Sequence, residues 1–174
     1  MESLEPFFEG ALSLALKGQW REVSELLETS TDLAAFGDGH GQTLLHIVAG
    51  MDGSASVIRA LIDLGADVNR QDDSGAIPIG NAIHGGGHRH GLDADANVEL
   101  LIDAGASLSQ FDETGNPPLD AALYERRPNL VRLLMAAEAD PFQVNAYGDD
   151  AYAHADWLKE PHMKLLLAAK SGQR

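Results

Sequence analysis

The chain has 174 residues, no cysteine, and 12 basic against 27 acidic residues, for a formal net charge of −15. The lack of cysteine excludes disulfides, thiolate zinc sites and cysteine nucleophiles. So acidic a surface repels phosphate backbones and anionic lipid, which argues against nucleic acid and membranes as partners and favours a basic protein.

An apolar fraction of 44% over this length is enough for one domain with a proper core. The N-terminal stretch PFFEGALSLALKGQWREVSELLETS (6–30) predicts two amphipathic helices broken at Gly18. Its apolar run ALSLALKG falls far short of the roughly 20 residues of a membrane span and lacks a basic leader, so the expected compartment is the cytoplasm. Trp20 in this segment and Trp157 near the other end are expected to be partial core.

Four segments then align: DGHGQTLLHIVA (38–49), DDSGAIPIGNAI (72–83), DETGNPPLDAAL (112–123) and NAYGDDAYAHAD (145–156). Each opens with Asp or Asn, carries Gly three residues later, and enters an apolar helical stretch. The glycine suits a tight turn with positive φ, and Pro suits a first helical turn, where it costs no hydrogen bond. A second signal follows at a fixed offset: VIRALIDLGADVN (57–69), VELLIDAGASLS (98–109) and VRLLMAAEADPF (131–142). Leu61, Ile62, Leu100, Leu101, Leu133 and Leu134 are its expected core residues. The repeat starts are 34, 40 and 33 residues apart. The C-terminal stretch 151–174 predicts a last helix pair whose second member opens at Pro161.

This pattern resembles the ankyrin repeat family. The first full repeat matches best, through Asp38, Gly41, Thr43, Leu45, His46, Ala49 and the later Gly65-Ala66-Asp67-Val68-Asn69. The second keeps Asp72, Gly75, Pro78 and Ala82, with Ile77 and Gly80 in place of the Thr and His. The third keeps Asp112, Gly115, Pro118, Leu119 and Ala122, with Pro117 and Asp120 at those two places. The resemblance implies an all-α solenoid of stacked helix-turn-helix units with short hairpin-like loops. It is expected as a single domain over 1–174: capping helices 1–37, full repeats 38–71, 72–111 and 112–144, and a C-terminal capping repeat 145–174. His46 is expected to link neighbouring turns by hydrogen bonds, with Thr43 as its local partner.

The long interval contains HGGGHRHGLDADA (84–96). Its His84, His88 and His90, with Asp93 and Asp95, are acceptable ligand types for a divalent ion. Two histidines two apart in a Gly-rich segment are poorly preorganised, however, and no phosphate-loop or calcium-loop spacing is present. Seven residues separate Leu123 from Val131 and fourteen separate Ile83 from Val98, so the stretch reads as an insertion that lengthens a surface loop. No cofactor, metal or small-molecule substrate is expected. An enzyme or metal-dependent protein using the three histidines is the alternative.

The resemblance implies protein recognition without catalysis, through hairpin tips and first helices. The expected contact positions are Gln71, Asp73, Ser74, His84, His88, Arg89, His90, Phe111, Glu113, Thr114, Tyr124, Glu125, Tyr147, Asp149 and Trp157. Gly39, His40, Gln42, Met51, Ala76, Asn116 and Ala146 are the remaining variable positions. Aromatic residues concentrate toward the C-terminal half among acids, a mixture suited to a partner bearing Arg or Lys. The expected role is a binding module that sequesters or inhibits a basic protein, as an immunity protein does. An adaptor bridging two proteins is a further alternative.

Overall fold

In a computed structural model, which describes residues 4–85, 92–112 and 114–171, the described chain is helical throughout and holds no strand. The helices are α1 (Glu5–Leu16), α2 (Trp20–Thr29), α3 (Leu44–Ala49), α4 (Ala55–Asp63) and α5 (Pro78–Gly85). They continue with α6 (Leu92–Asp103), α7 (Pro118–Tyr124), α8 (Pro128–Ala136), α9 (Ala151–Trp157) and α10 (Pro161–Ser171). The chain divides into two compact units, Met1–Ala106 and Ser107–Arg174. Within the N-terminal unit α1, α3 and α5 stack in one layer, and α2, α4 and α6 stack in a second. Within the C-terminal unit α7 stacks on α9 and α8 on α10 in the same way. Each helix pair thus buries its apolar face against the next, as in a helical solenoid.

The turns before the helices explain the Asp/Asn-x-x-Gly signal. The side-chain oxygen of the first residue accepts the backbone N–H groups two and four residues on. Asp38 takes those of His40 and Gln42, Asp72 those of Ser74 and Ala76, Asp112 those of Thr114 and Asn116, and Asn145 those of Tyr147 and Asp149. The glycines have φ of 74°, 84°, 82° and 88° at positions 41, 75, 115 and 148, a region closed to most residues with a Cβ. Within each unit the turns are joined by one backbone bond, Asp73 N–H to the His40 carbonyl (3.0 Å) and Ala146 N–H to the Gly115 carbonyl (2.8 Å). Burial would raise the Asp72 carboxyl. Hydrogen bonds from the Ser74 and Gln42 side chains and from the Ala76 and Ser74 N–H groups outweigh it and hold the group below its ordinary 3.8.

His46 is fully buried and links the first turn to the second. Thr43 N–H donates to its Nδ1 at 3.1 Å, and its Nε2 reaches the Ala76 carbonyl at 3.2 Å. That network assigns the neutral tautomer with the proton on Nε2. Ala76, expected at the surface, is buried because its N–H is taken by Asp72 and its carbonyl by His46.

Three other expectations are corrected. Leu61, Leu101 and Leu134 are fully buried, but Ile62, Leu100 and Leu133 are only half-buried, because each sits one residue off the inward stripe of its helix. The insertion is helical at both ends: His84 and Gly85 finish α5, and residues 92–96 begin α6; residues 86–91 lie outside the described residues. Its Ala and Asp content favours a first helical turn over a loop. Trp157, expected as partial core, is 71% exposed at the end of α9, whereas Trp20 is half-buried. Further along α6, Asn97 is buried and donates to the Ala49 and Met51 carbonyls and to Ser54 Oγ, tying α6 to the end of α3.

Two predictions follow from the turns. Burial lowers the pKa of His46 from 6.5, only partly opposed by the Ala76 carbonyl and the charge of Asp72. A depressed folded-state pKa contributes stability present above the unfolded value and lost as pH falls through the folded one. His46→Gln, which cannot titrate, is therefore expected to cost about 2 kcal/mol near pH 8 and clearly less near pH 5, by urea midpoints. A penalty that does not change with pH would show that the imidazole is not held neutral.

The second concerns the residue that closes each second helix. Gly65 and Gly105 do so at φ 85° and 88°, but the third repeat places Glu138 there at φ 69°. A left-handed non-glycine residue costs roughly 1–2 kcal/mol, part of which glycine would lose again as unfolded-chain entropy. Glu138→Gly should raise stability by about 0.5 kcal/mol, seen as a higher urea midpoint at unchanged slope. A lower midpoint would rule out backbone strain at this position.

Candidate binding site in the C-terminal unit

The turn chemistry of the C-terminal unit differs from that around His46, and the difference shapes a cavity. Asp120 occupies the place of His46 on α7, and it is 1% exposed. Its Oδ2 accepts Asn145 Nδ2 at 3.0 Å, while Asn145 Oδ1 caps its own turn. The substitution is thus paired. With His on the helix the next turn opens with Asp72; with Asp on the helix it opens with Asn145, which supplies the donor that a carboxylate lacks. His154 of α9 stands beside them, with Nδ1 3.7 Å from Asp120 Oδ2. Asp120 Oδ1 and His154 Nδ1 are buried without a hydrogen-bond partner.

In front of His154 opens a cavity of about 420 Å³, lined by Thr114, Asn116, Tyr124, Asn145, Tyr147, Asp149, His154 and Trp157. Four elements converge on it: the turn that begins at Asp112, the turn that begins at Asn145, and the ends of α7 and α9, where Tyr124 and Trp157 stand. The His154 ring lies between these two aromatics, 6.3 Å from Tyr124 and 6.1 Å from Trp157, tilted to both. Tyr147 donates its hydroxyl to the Thr114 carbonyl at 3.2 Å and so spans the two turns. Tyr124, Tyr147 and Trp157 are nevertheless 54%, 74% and 71% exposed, so their apolar faces are available to a ligand.

Of the contact positions expected from sequence, Thr114, Tyr124, Tyr147, Asp149 and Trp157 line this cavity. Phe111 is exposed in the same unit but outside the lining, as is half-buried Glu125 at the end of α7. Gln71, Asp73 and Ser74 are exposed on the second turn of the N-terminal unit, and His84 is half-buried in the last turn of α5. His88, Arg89, His90 and Glu113 lie outside the described residues. Asn145 and His154 were not expected at the site. The signal that locates them is the joint change of His to Asp at 120 and Asp to Asn at 145. Among the described residues no group of three His, Asp or Glu could hold a metal ion, and none of the helices is long and apolar enough to cross a membrane.

Residues 40–73 match the family model of the ankyrin repeat. This segment is an ankyrin repeat. With helical units of the same kind on both sides of it, the chain is consistent with an ankyrin-repeat protein, and its repeats support a protein-binding role. No curated protein matched the sequence.

The paired substitution can be tested directly. Asn145→Asp removes the donor to Asp120 and sets a second carboxylate about 3 Å from the first. It should destabilise the C-terminal unit by about 2–3 kcal/mol at neutral pH, read by amide hydrogen exchange along α7 and α9. Unchanged protection there would show that the bond between residues 120 and 145 does not hold the turn.

Proposed function

We propose that the protein is a non-enzymatic cytoplasmic binding module that recognises a basic partner protein and inhibits it, as an immunity or antitoxin protein would. One observation carries this reading: three aromatic side chains of the C-terminal unit, Tyr124, Tyr147 and Trp157, stand exposed around a concave, acid-bearing site instead of packing into the core. Exposed Tyr and Trp beside a cavity are the residues that most often dominate interface energy. Charge supports the sign of the partner. Residues 1–106 hold seventeen acids against five bases, and residues 107–174 hold ten against seven. An acidic field of that size accelerates encounter with a cation-rich surface and disfavours acidic competitors. The two units also differ in surface character, which gives the adaptor reading a physical basis, with one partner held by charge and another by aromatic contacts.

Affinity isolation of the chain from its native host, followed by titration of the purified partner, tests the proposal. A single stoichiometric basic protein is expected, bound more weakly as salt rises from about 50 mM to about 500 mM. The double variant Tyr124→Ala/Trp157→Ala should weaken it by about thirtyfold or more. Full affinity in that variant would remove the assigned surface, and two partners bound at once would replace inhibition by bridging.

A further inference from the structure

Resting on the protein-binding reading, we infer that the cavity of the C-terminal unit is a receptor for one arginine side chain of the partner. Three observations converge on a planar cation.

The first is the wall. Tyr124 and Trp157 flank the His154 ring, and Tyr147 is fixed across the two turns by its bond to Thr114, so aromatic faces border the space on several sides. Aromatic faces attract cations through their quadrupole, and a guanidinium can also stack on them flat.

The second is the charge. Among the described residues Asp149 is the one carboxylate on the lining, and it is exposed. Behind His154 lies Asp120, buried, with its Oδ2 3.7 Å from His154 Nδ1 and its Oδ1 unpartnered. Among the described residues no Lys or Arg lines the space. Two of the cations of this unit are occupied elsewhere, Arg126 by Glu160 at 2.8 Å and Lys164 by Asp156.

The third is size and polarity. A volume of about 420 Å³ falls within the range of small-ligand sites, roughly 300–1,000 Å³, and takes a long side chain with its stem. The polar lining atoms include carboxylate and amide oxygens. These suit the several fixed donors of a guanidinium better than the single compact charge of an ammonium group.

The test uses the full chain and three capped tripeptides, acetyl-Gly-X-Gly-amide, where X is arginine, lysine or citrulline. The readout is the pair of indole N–H signals in a proton–nitrogen correlation spectrum, with Trp20 as internal control. The arginine peptide should shift the Trp157 signal saturably with a Kd on the order of 1 mM and leave Trp20 unmoved. The lysine peptide should bind about fivefold more weakly, and the neutral citrulline peptide should give no saturable shift. Asp149→Asn should weaken arginine binding by about fivefold, with an unchanged melting temperature as the fold control. Citrulline binding as tightly as arginine, lysine binding at least as tightly as arginine, or no saturable Trp157 shift below about 20 mM would each overturn the assignment. A partner protein whose affinity still depends on Tyr124 and Trp157, while these peptides fail, would leave the protein-binding reading standing and remove only the arginine receptor.

Discussion

The first helices of the repeats, α3, α5, α7 and α9, have only six to eight residues and do not persist alone in water, because nucleation costs more than so few hydrogen bonds return. In this protein they persist because each is entered from a turn already fixed by one side-chain oxygen. The Asp or Asn at the turn's first position satisfies two N–H groups, and the left-handed glycine between them lets the chain reverse. Everything downstream depends on that constraint. It sets where each first helix begins, which face of it meets the next pair, and how closely successive turns approach. The second helices then need only one apolar stripe, carried by residues such as Ile58, Leu61, Leu101 and Leu134.

A second constraint couples neighbouring turns, and it is met by two different chemistries. In the N-terminal unit a neutral, doubly bonded imidazole at His46 reaches forward to a backbone carbonyl. In the C-terminal unit a carboxylate at Asp120 takes a side-chain amide from the next turn. Both satisfy a buried polar group, as burial demands, but they differ in what remains. His46 leaves no unpartnered atom, whereas the Asp120 arrangement leaves one carboxylate oxygen and one ring nitrogen of His154 without partners at the back of an open cavity. Buried unsatisfied groups cost free energy, so their presence beside a cavity marks the place where this repeat has departed from pure packing.

How much of this was legible in the sequence depended on the range of the interaction. The turns could be read because their chemistry is local: Asp, two residues, Gly, then a helix. Helix pairs and their order followed from the repeat period, and Pro161 and Gly18 marked the breaks within the end pairs. The C-terminal end of the insertion was misread because Gly and His content signals a loop while the Ala and Asp residues there begin α6. Trp157 was expected both as partial core and as a contact position, because an aromatic at a helix end carries no local sign of which way it faces. Five of the residues that line the cavity were expected as contact positions from their place in the repeat. Asn145 and His154 were not, because their role comes from contact with Asp120, a residue 25 positions before one and 34 before the other.

Surface character is unevenly distributed between the two units. The exposed large apolar residues of the C-terminal unit include Phe111, Tyr124, Phe142, Val144, Tyr147, Trp157 and Leu165, against Phe7, Leu16 and Leu64 in the N-terminal unit. The excess of acid runs the other way. Net charge acts over a Debye length and governs chiefly how fast a partner arrives, whereas buried aromatic contact acts at van der Waals range and governs how slowly it leaves. A chain that concentrates acid in one unit and exposed rings in the other can therefore tune encounter and retention by independent substitutions. Changes to the acids should alter salt-dependent association, and changes to the rings should alter residence time.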